Sequence, residues 1–387
     1  MKTFLPKQDP LKNYITKSRS LTKLEEIASE LPKLLLTGNV QTLIDSLPKN
    51  ALSINAILKN KNEREINLAM VHLSFIAHAY IWGGKKPSKV LPEVIAKPWV
   101  KLSEILGRPP ILSYASYCLH NWYRIDKSKE ISLENVALIT NFLGGVDEDW
   151  FVTIHVCIEH AAKDAITAAC QISKLKSNKD KKLEYGLKRI IKSLRDVNNI
   201  FARMPEKCDP YVYYHRVRPF IFGTKDNPDL KKGLVYKNEF NNKPQFFRGE
   251  TGAQSSIMPL LDGALGIYHT KDHLRHYLNE MRDYMPPEHR AMIEQVEGIS
   301  NAKTIIDGSK SLTNNYNKCL EEIRKFRALH LEFAASYIHK QSQIKNPFGT
   351  GGSTIKGTGG TPFMKYLKKH RDETQKQKNR FRYLLQH

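Results

Sequence analysis

Lys318-Cys-Leu-Glu-Glu-Ile-Arg-Lys-Phe-Arg-Ala-Leu-His330-Leu-Glu-Phe-Ala-Ala-Ser-Tyr-Ile338 is the run that decides how this chain folds. Ile323, Phe326, Phe333 and Tyr337 lie seven before, four before, three after and seven after His330. At about 3.6 residues per turn these positions share one helical face. His330 therefore points with the apolar stripe into the interior. A buried imidazole needs a partner, whether a hydrogen bond, a carboxylate or a metal. Periodicity alone leaves that choice open.

Working outward, nearly every periodic segment reads as helix. Leu21 to Leu36, Val40 to Leu47 and Ala69 to Ile81 carry helical spacing, with Pro and Gly as punctuation. Gly83-Gly-Lys-Lys-Pro87 and Arg108-Pro-Pro-Ile111 are breaks. Phe151 to Ile172 reads as one long Ala-rich helix, and Asp180 to Phe201 as another. Residues 203–254 are less regular, and helices resume at Ile257, Lys271, Glu288 and Lys318. Alternating strand patterns are scarce, so the fold class is all-α. The expected organisation is a small N-terminal helical domain over 1–105 and a larger helical domain over 106–387.

The 387 residues are 41% hydrophobic and 26% charged, the balance of a globular chain. No apolar run reaches the length of a membrane span. The N-terminus meets charges and prolines before an apolar core of a secretory signal can form. The five cysteines, Cys118, Cys157, Cys170, Cys208 and Cys319, are widely spaced without a CxxC pair. That pattern predicts reduced thiols in a cytoplasmic protein and argues against a zinc site. The net charge of +22 is carried heavily by Lys174 to Arg195 and Lys365 to Arg382. Lys181, Lys188, Lys192 and Arg195 share one helical face, opposite Leu183, Leu187, Ile190 and Leu194. Without a nucleic-acid module, a solvated basic face is the expectation, and no nucleic-acid partner is expected.

Gly349-Thr-Gly-Gly-Ser-Thr-Ile-Lys-Gly-Thr-Gly-Gly-Thr361 contains Gly-Thr-Gly-Gly twice. It lacks the Gly-Lys-Ser/Thr ending of a P-loop, and composition alone reads it as a linker. On the Phe151 helix, His155 and Glu159 follow at intervals of four and share a face. Two ligands are a weak metal signal, and a core histidine is the simpler reading. Tyr211-Val-Tyr-Tyr-His-Arg-Val-Arg-Pro219 could set Tyr213 and Arg218 around one pocket, suited to an aromatic carboxylate, or form a loop of cation–π pairs.

Six ordered stretches carry a resemblance: Arg108-Pro-Pro-Ile-Leu-Ser-Tyr114, Gly233-Leu-Val-Tyr236, Gln254-Ser-Ser256, Met281-Arg-Asp-Tyr-Met-Pro-Pro-Glu-His-Arg290, His330 in its helix, and Lys356-Gly-Thr-Gly-Gly-Thr361. In this order they resemble the indoleamine 2,3-dioxygenases, from about residue 105 to 370 and more weakly before it. The resemblance implies an all-α haem b protein that inserts O2 across the indole C2–C3 bond of L-tryptophan to give N-formylkynurenine. It implies His330 as the proximal ligand to haem iron, with Arg327 and Asp262 behind it. It places Tyr114, Phe151, Tyr213, Arg218, Thr251 and Thr358 around the substrate, with Arg218 on the carboxylate, and so reverses the linker reading of the Gly-rich loop. A monomer is favoured.

Two departures stand out. The indoleamine enzymes of broad range carry serine at the position of His155, whereas the related tryptophan 2,3-dioxygenases carry histidine at the equivalent place. His155 is expected to accept the indole N–H and to narrow the range towards tryptophan. Arg248-Gly-Glu-Thr-Gly-Ala253 replaces a usual Ala-Gly-Gly-Ser-Ala-Gly, so Glu250 either meets the substrate ammonium or faces water. The alternatives are a haem protein that binds O2 without dioxygenation, a different indole substrate, and, more weakly, a nucleic-acid binder.

Overall fold

Some helix starts follow capping chemistry in the computed structural model, which describes residues 3–270, 272–306, 309–344 and 363–383. After α1 (Arg19–Ser29), the Asn62 side chain accepts the Arg64 and Glu65 N–H groups and opens α2 (Glu63–Trp82). A cap of this kind is worth about 1 kcal/mol. Every residue of α2 from Glu65 to Trp82 is buried, so this helix is wrapped by others on all sides. α3 (Glu93–Leu106) follows. α4 (Val146–Ala161), α5 (Lys163–Ile172) and α6 (Lys181–Ala202) form the next layer. α7 (Ile257–Leu265), α8 (His273–Met281) and α9 (Pro287–Ile299) lead to α10 (Lys310–Ala334), opened by Ser309, and to α11 (Phe363–Tyr383).

Helix takes 64% of the described residues and strand 3%, so the all-α expectation holds. Strands occur only as two small ribbons among the described residues. β1 (Val90–Leu91) pairs in parallel with Val235–Tyr236, and Trp122–Arg124 pairs antiparallel with Val136–Leu138. One continuous apolar core runs from Phe4 to Tyr337. On α6, Leu183, Leu187, Ile190 and Leu194 are all fully buried, as the spacing predicts. Opposite them, Lys188 pairs with Glu184 at 2.8 Å and Arg195 with Glu322 at 3.4 Å.

The long helix expected over 151–172 is two helices meeting at Ala162. The Ser193 hydroxyl from α6 donates to the Ala161 carbonyl at 2.6 Å and accepts the Ala165 N–H at 3.3 Å. It thus inserts between the two backbone groups that would otherwise bond to each other, a recognised cause of a bend. Sequence spacing within 151–172 carries no trace of a serine from another helix.

Three five-residue π-turns are a further departure from simple helix. They span Ala115–Leu119, Tyr213–Val217 and Ala335–His339. Each adjoins a residue of the cavity described below: Tyr114, Arg218 and Ala334. Wide turns of this kind concentrate at functional sites.

Candidate active site

A cavity of about 300 Å³ lies between α4, the 213–221 turns, the 250–259 segment, α10 and α11. That volume is at the lower end for small-molecule sites. Two histidines from different helices line it, His155 on α4 and His330 on α10.

α10 supplies one wall. Phe326, His330, Phe333 and Tyr337 line the cavity together, as the spacing in the opening stretch predicts; Arg327 and Ala334 line it too, while Ile323 does not. Phe201 stacks on Phe326 with centroids 4.9 Å apart and meets the His330 ring edge-on at 6.0 Å. Among the described residues the His330 imidazole makes no hydrogen bond. Burial pulls its pKa down to about 4, with the nearby His155 adding to the shift, so the ring is neutral at physiological pH.

Behind this wall Arg327, 6% exposed, pairs with Asp262 at 2.6 Å. Arg327 also donates to the Thr374 hydroxyl of α11. Burial pushes the Asp262 carboxyl up, but Arg327 and His269 outweigh it and hold it well below the usual carboxylate range. His269 extends the chain. Its Nε2 is 3.0 Å from Asp262 Oδ2, and its Nδ1 is 2.7 Å from Glu373 Oε2. His370 stacks on His269 with centroids 4.0 Å apart. His269, His370 and Glu373 bring ligand atoms within 4.8 Å of one another. Both His269 nitrogens are already engaged by carboxylates, which describes a hydrogen-bonded relay better than a cation site. No sequence signal marks His269, which lies in a loop without periodicity.

The opposite wall is built by α4. Phe151, His155 and Glu159 lie on one face at intervals of four. The His155 Nδ1–H donates to the Phe151 carbonyl at 2.7 Å. That bond fixes the tautomer and leaves Nε2 as an acceptor. Burial lowers the His155 pKa, against the opposing effect of this bond. The possible pairing of His155 with Glu159 around a metal gives way to another arrangement. Glu159 Oε1 accepts the Tyr114 hydroxyl at 2.9 Å and the Ser255 hydroxyl at 2.8 Å, and burial pushes its carboxyl up to about 7. Tyr114 is held at its backbone too, where its N–H donates to Gln254 Oε1 at 2.8 Å.

Phe151 stacks on Tyr213 at 4.6 Å. Arg218, 1% exposed, follows the π-turn and lies over the rings of Tyr214 and Phe222, at 5.1 and 4.6 Å. Burial lowers its pKa to about 10, which leaves it a cation at any working pH. Thr251 lines the cavity, with its hydroxyl accepting the Ala253 N–H at 3.4 Å. Thr358 and the Gly-rich loop 349–361 lie outside the described residues. Glu250 is 3% exposed and lines the cavity, so the expectation that it could face water is overturned. The structure thus brings Tyr114, Phe151, His155, Tyr213, Arg218, Thr251, Asp262, Arg327 and His330 to one cavity.

No helix among the described residues is long and apolar enough to cross a membrane. The family model described as "Indoleamine 2,3-dioxygenase" matches residues 1–377. Indoleamine 2,3-dioxygenase 1 of Rattus norvegicus is 35% identical over 363 residues, covering 90% of this chain and 88% of the relative. Indoleamine 2,3-dioxygenase of Saccharomyces cerevisiae is 32% identical over 401 residues, covering 92% and 87%. Indoleamine 2,3-dioxygenase nanC of Aspergillus nanangensis is 30% identical over 390 residues, covering 96% and 93%. With the model match spanning nearly the whole chain and relatives at 30–35% identity over most of their length, this chain belongs to the indoleamine 2,3-dioxygenase family of haem-dependent dioxygenases.

Proposed function

We propose that this protein is a haem b dioxygenase that opens the indole ring of L-tryptophan, adding both atoms of O2 across C2–C3 to give N-formylkynurenine. The observation that carries this reading is the meeting of two neutral imidazoles and one buried guanidinium on a single, largely apolar cavity. His330 suits the proximal ligand because its ring is neutral and makes no hydrogen bond among the described residues, and because phenylalanines flank it. A neutral imidazole nitrogen is what haem iron takes from a protein. The Arg327–Asp262 pair, continued through His269, stiffens the helix that carries His330. When bound, haem supplies the iron that activates O2.

The remaining groups orient the substrate, which is most of the protein's contribution to such a reaction. The Phe151–Tyr213 stack offers a flat wall for the indole. Arg218 offers a planar fork to the carboxylate from a site where water is excluded. His155 Nε2 is left as the acceptor for the indole N–H. Thr251 adds a hydroxyl at the cavity wall. All five cysteines are buried free thiols, which suits a reducing compartment such as the cytoplasm.

The test is direct. Haem-loaded protein, reduced and given O2 and L-tryptophan, is expected to form N-formylkynurenine, read by its absorbance. A protein that binds O2 reversibly and leaves tryptophan intact would refute the reading.

A further inference from the structure

Behind the His330 wall lie more charges than packing alone requires. The His269 side chain, just after α7, is buried between two carboxylates. Its Nε2 meets Asp262 Oδ2 at 3.0 Å and its Nδ1 meets Glu373 Oε2 at 2.7 Å. Both carboxylates accept from other donors as well. Asp262 Oδ2 accepts from Arg327 at 2.6 Å, and a guanidinium can only donate. Glu373 Oε1 accepts the Thr270 N–H at 3.3 Å and the Thr270 hydroxyl at 2.9 Å. Burial opposes the charge on Glu373, but the bonds from His269 and Thr270 outweigh it and hold the carboxyl below its usual range. Between two ionised carboxylates both ring nitrogens must donate, so His269 is an imidazolium.

Arg327, Asp262, His269 and Glu373 thus alternate in sign along one hydrogen-bonded chain that joins α10, α7 and α11. Asp262, His269 and Arg327 border the cavity that His330 lines. His370 borders it too and stacks on His269, with 21° between the ring planes. Burial lowers the His370 pKa to about 3, so that ring is neutral and adds no charge. At the outer end Lys369 lies 3.7 Å from Glu373 and also pairs with Asp272, a further balanced couple. Burying an ion chain is costly, and apolar residues of similar volume would often hold three helices at least as firmly. What apolar residues cannot supply is a fixed charge beside the cofactor, in surroundings that screen it less than water does.

We propose that His269, as an imidazolium between Asp262 and Glu373, is a positioning residue that raises the reduction potential of the haem iron held at His330. It thereby favours the ferrous state, which is the one that takes O2. The inference rests on the reading that His330 binds haem. Removing the His269 charge leaves the chain net negative and favours ferric iron. Removing the Glu373 charge leaves it net positive and favours ferrous iron.

The experiment is a spectroelectrochemical titration of the ferric/ferrous couple at pH 7. It uses haem-loaded wild type, His269→Gln, Glu373→Gln and the double variant, with ferrous–CO spectra recorded to show that each holds haem. His269→Gln is expected to lower the reduction equilibrium constant, and Glu373→Gln to raise it, by about threefold to tenfold, at about 59 mV per tenfold for one electron. The double variant returns most of the way to wild type. A merely structural tie predicts shifts of one sign that grow in the double variant. That result, or no shift in Glu373→Gln, overturns the proposal. Glu373→Gln is the milder change at the less buried end, so it decides the matter even where His269→Gln fails to hold haem. Failure of the haem reading looks different: wild type itself would take up no haem.

Discussion

Replacing Asp262 by Ala removes one half of a buried ion pair and tests how the His330 wall is held. Asp262 and Arg327 are 9% and 6% exposed, and they meet at 2.6 Å. Breaking such a pair leaves a guanidinium in the interior with its compensating charge gone, which costs about 3–5 kcal/mol. Arg327 keeps the Thr374 hydroxyl and His269 keeps Glu373, so the lower half of that range is expected. The double variant Asp262→Ala/Arg327→Ala should cost less than the two single changes added, because no uncompensated charge remains. The assay is urea unfolding of the four proteins at pH 7, each with and without haem. The deficit also has a predicted pH dependence. Because the folded carboxyl titrates below its unfolded range, its stabilisation is complete above about pH 4 and is lost only as pH falls through the folded value. The difference between wild type and Asp262→Ala should therefore be flat from pH 5 to 8 and shrink in acid. Strictly additive single changes, or a deficit under about 1 kcal/mol, would refute the reasoning.

Other consequences can be checked alongside. Gly249→Ala sets a Cβ 2.2 Å from the Gly223 nitrogen and 2.3 Å from the Ile221 carbonyl oxygen, so overpacking should cost about 1–3 kcal/mol or more in thermal unfolding. Glu159 has a folded pKa raised to about 7 by burial, so its unfolded form releases a proton first and stability should fall as pH rises from about 4.5 to 7; Glu159→Gln should remove that slope in denaturation midpoints. His155→Ser should raise turnover of 1-methyltryptophan relative to tryptophan, since the acceptor for the indole N–H is lost, and an unchanged ratio would sink that role. Ser193→Ala lets the Ala165 N–H return to the Ala161 carbonyl, so it should cost only about 1 kcal/mol or less by chemical denaturation.

The walls of the site were legible in the sequence to different degrees, for physical reasons. Arg327 came only from the family resemblance, whereas the inward direction of His330 was readable because helical periodicity fixes which residues share a face. Phe151, His155 and Glu159 were readable on the same basis, but the partners of Glu159 were not, since Tyr114 and Ser255 come from elements 45 and 96 residues away. The bend at Ala162 was hidden for the same reason: its cause, Ser193, is 32 residues from the carbonyl it binds. His269 lies in a loop, where no period marks direction, and only the docking of α11 supplies its second carboxylate. Glu250 was noticed as an acid in an unusual place, yet sequence could not tell water from cavity. Its burial follows from a backbone crossing at Gly223 and Gly249, which no local pattern records.

The measurement that bears most directly on the account is the absorption spectrum and turnover of haem-loaded protein with and without His330. The account predicts that wild type shows a proximally ligated Soret band and forms N-formylkynurenine under O2. It predicts that His330→Ala loses both the Soret band and N-formylkynurenine formation. A normal spectrum and undiminished ring opening in His330→Ala would contradict it.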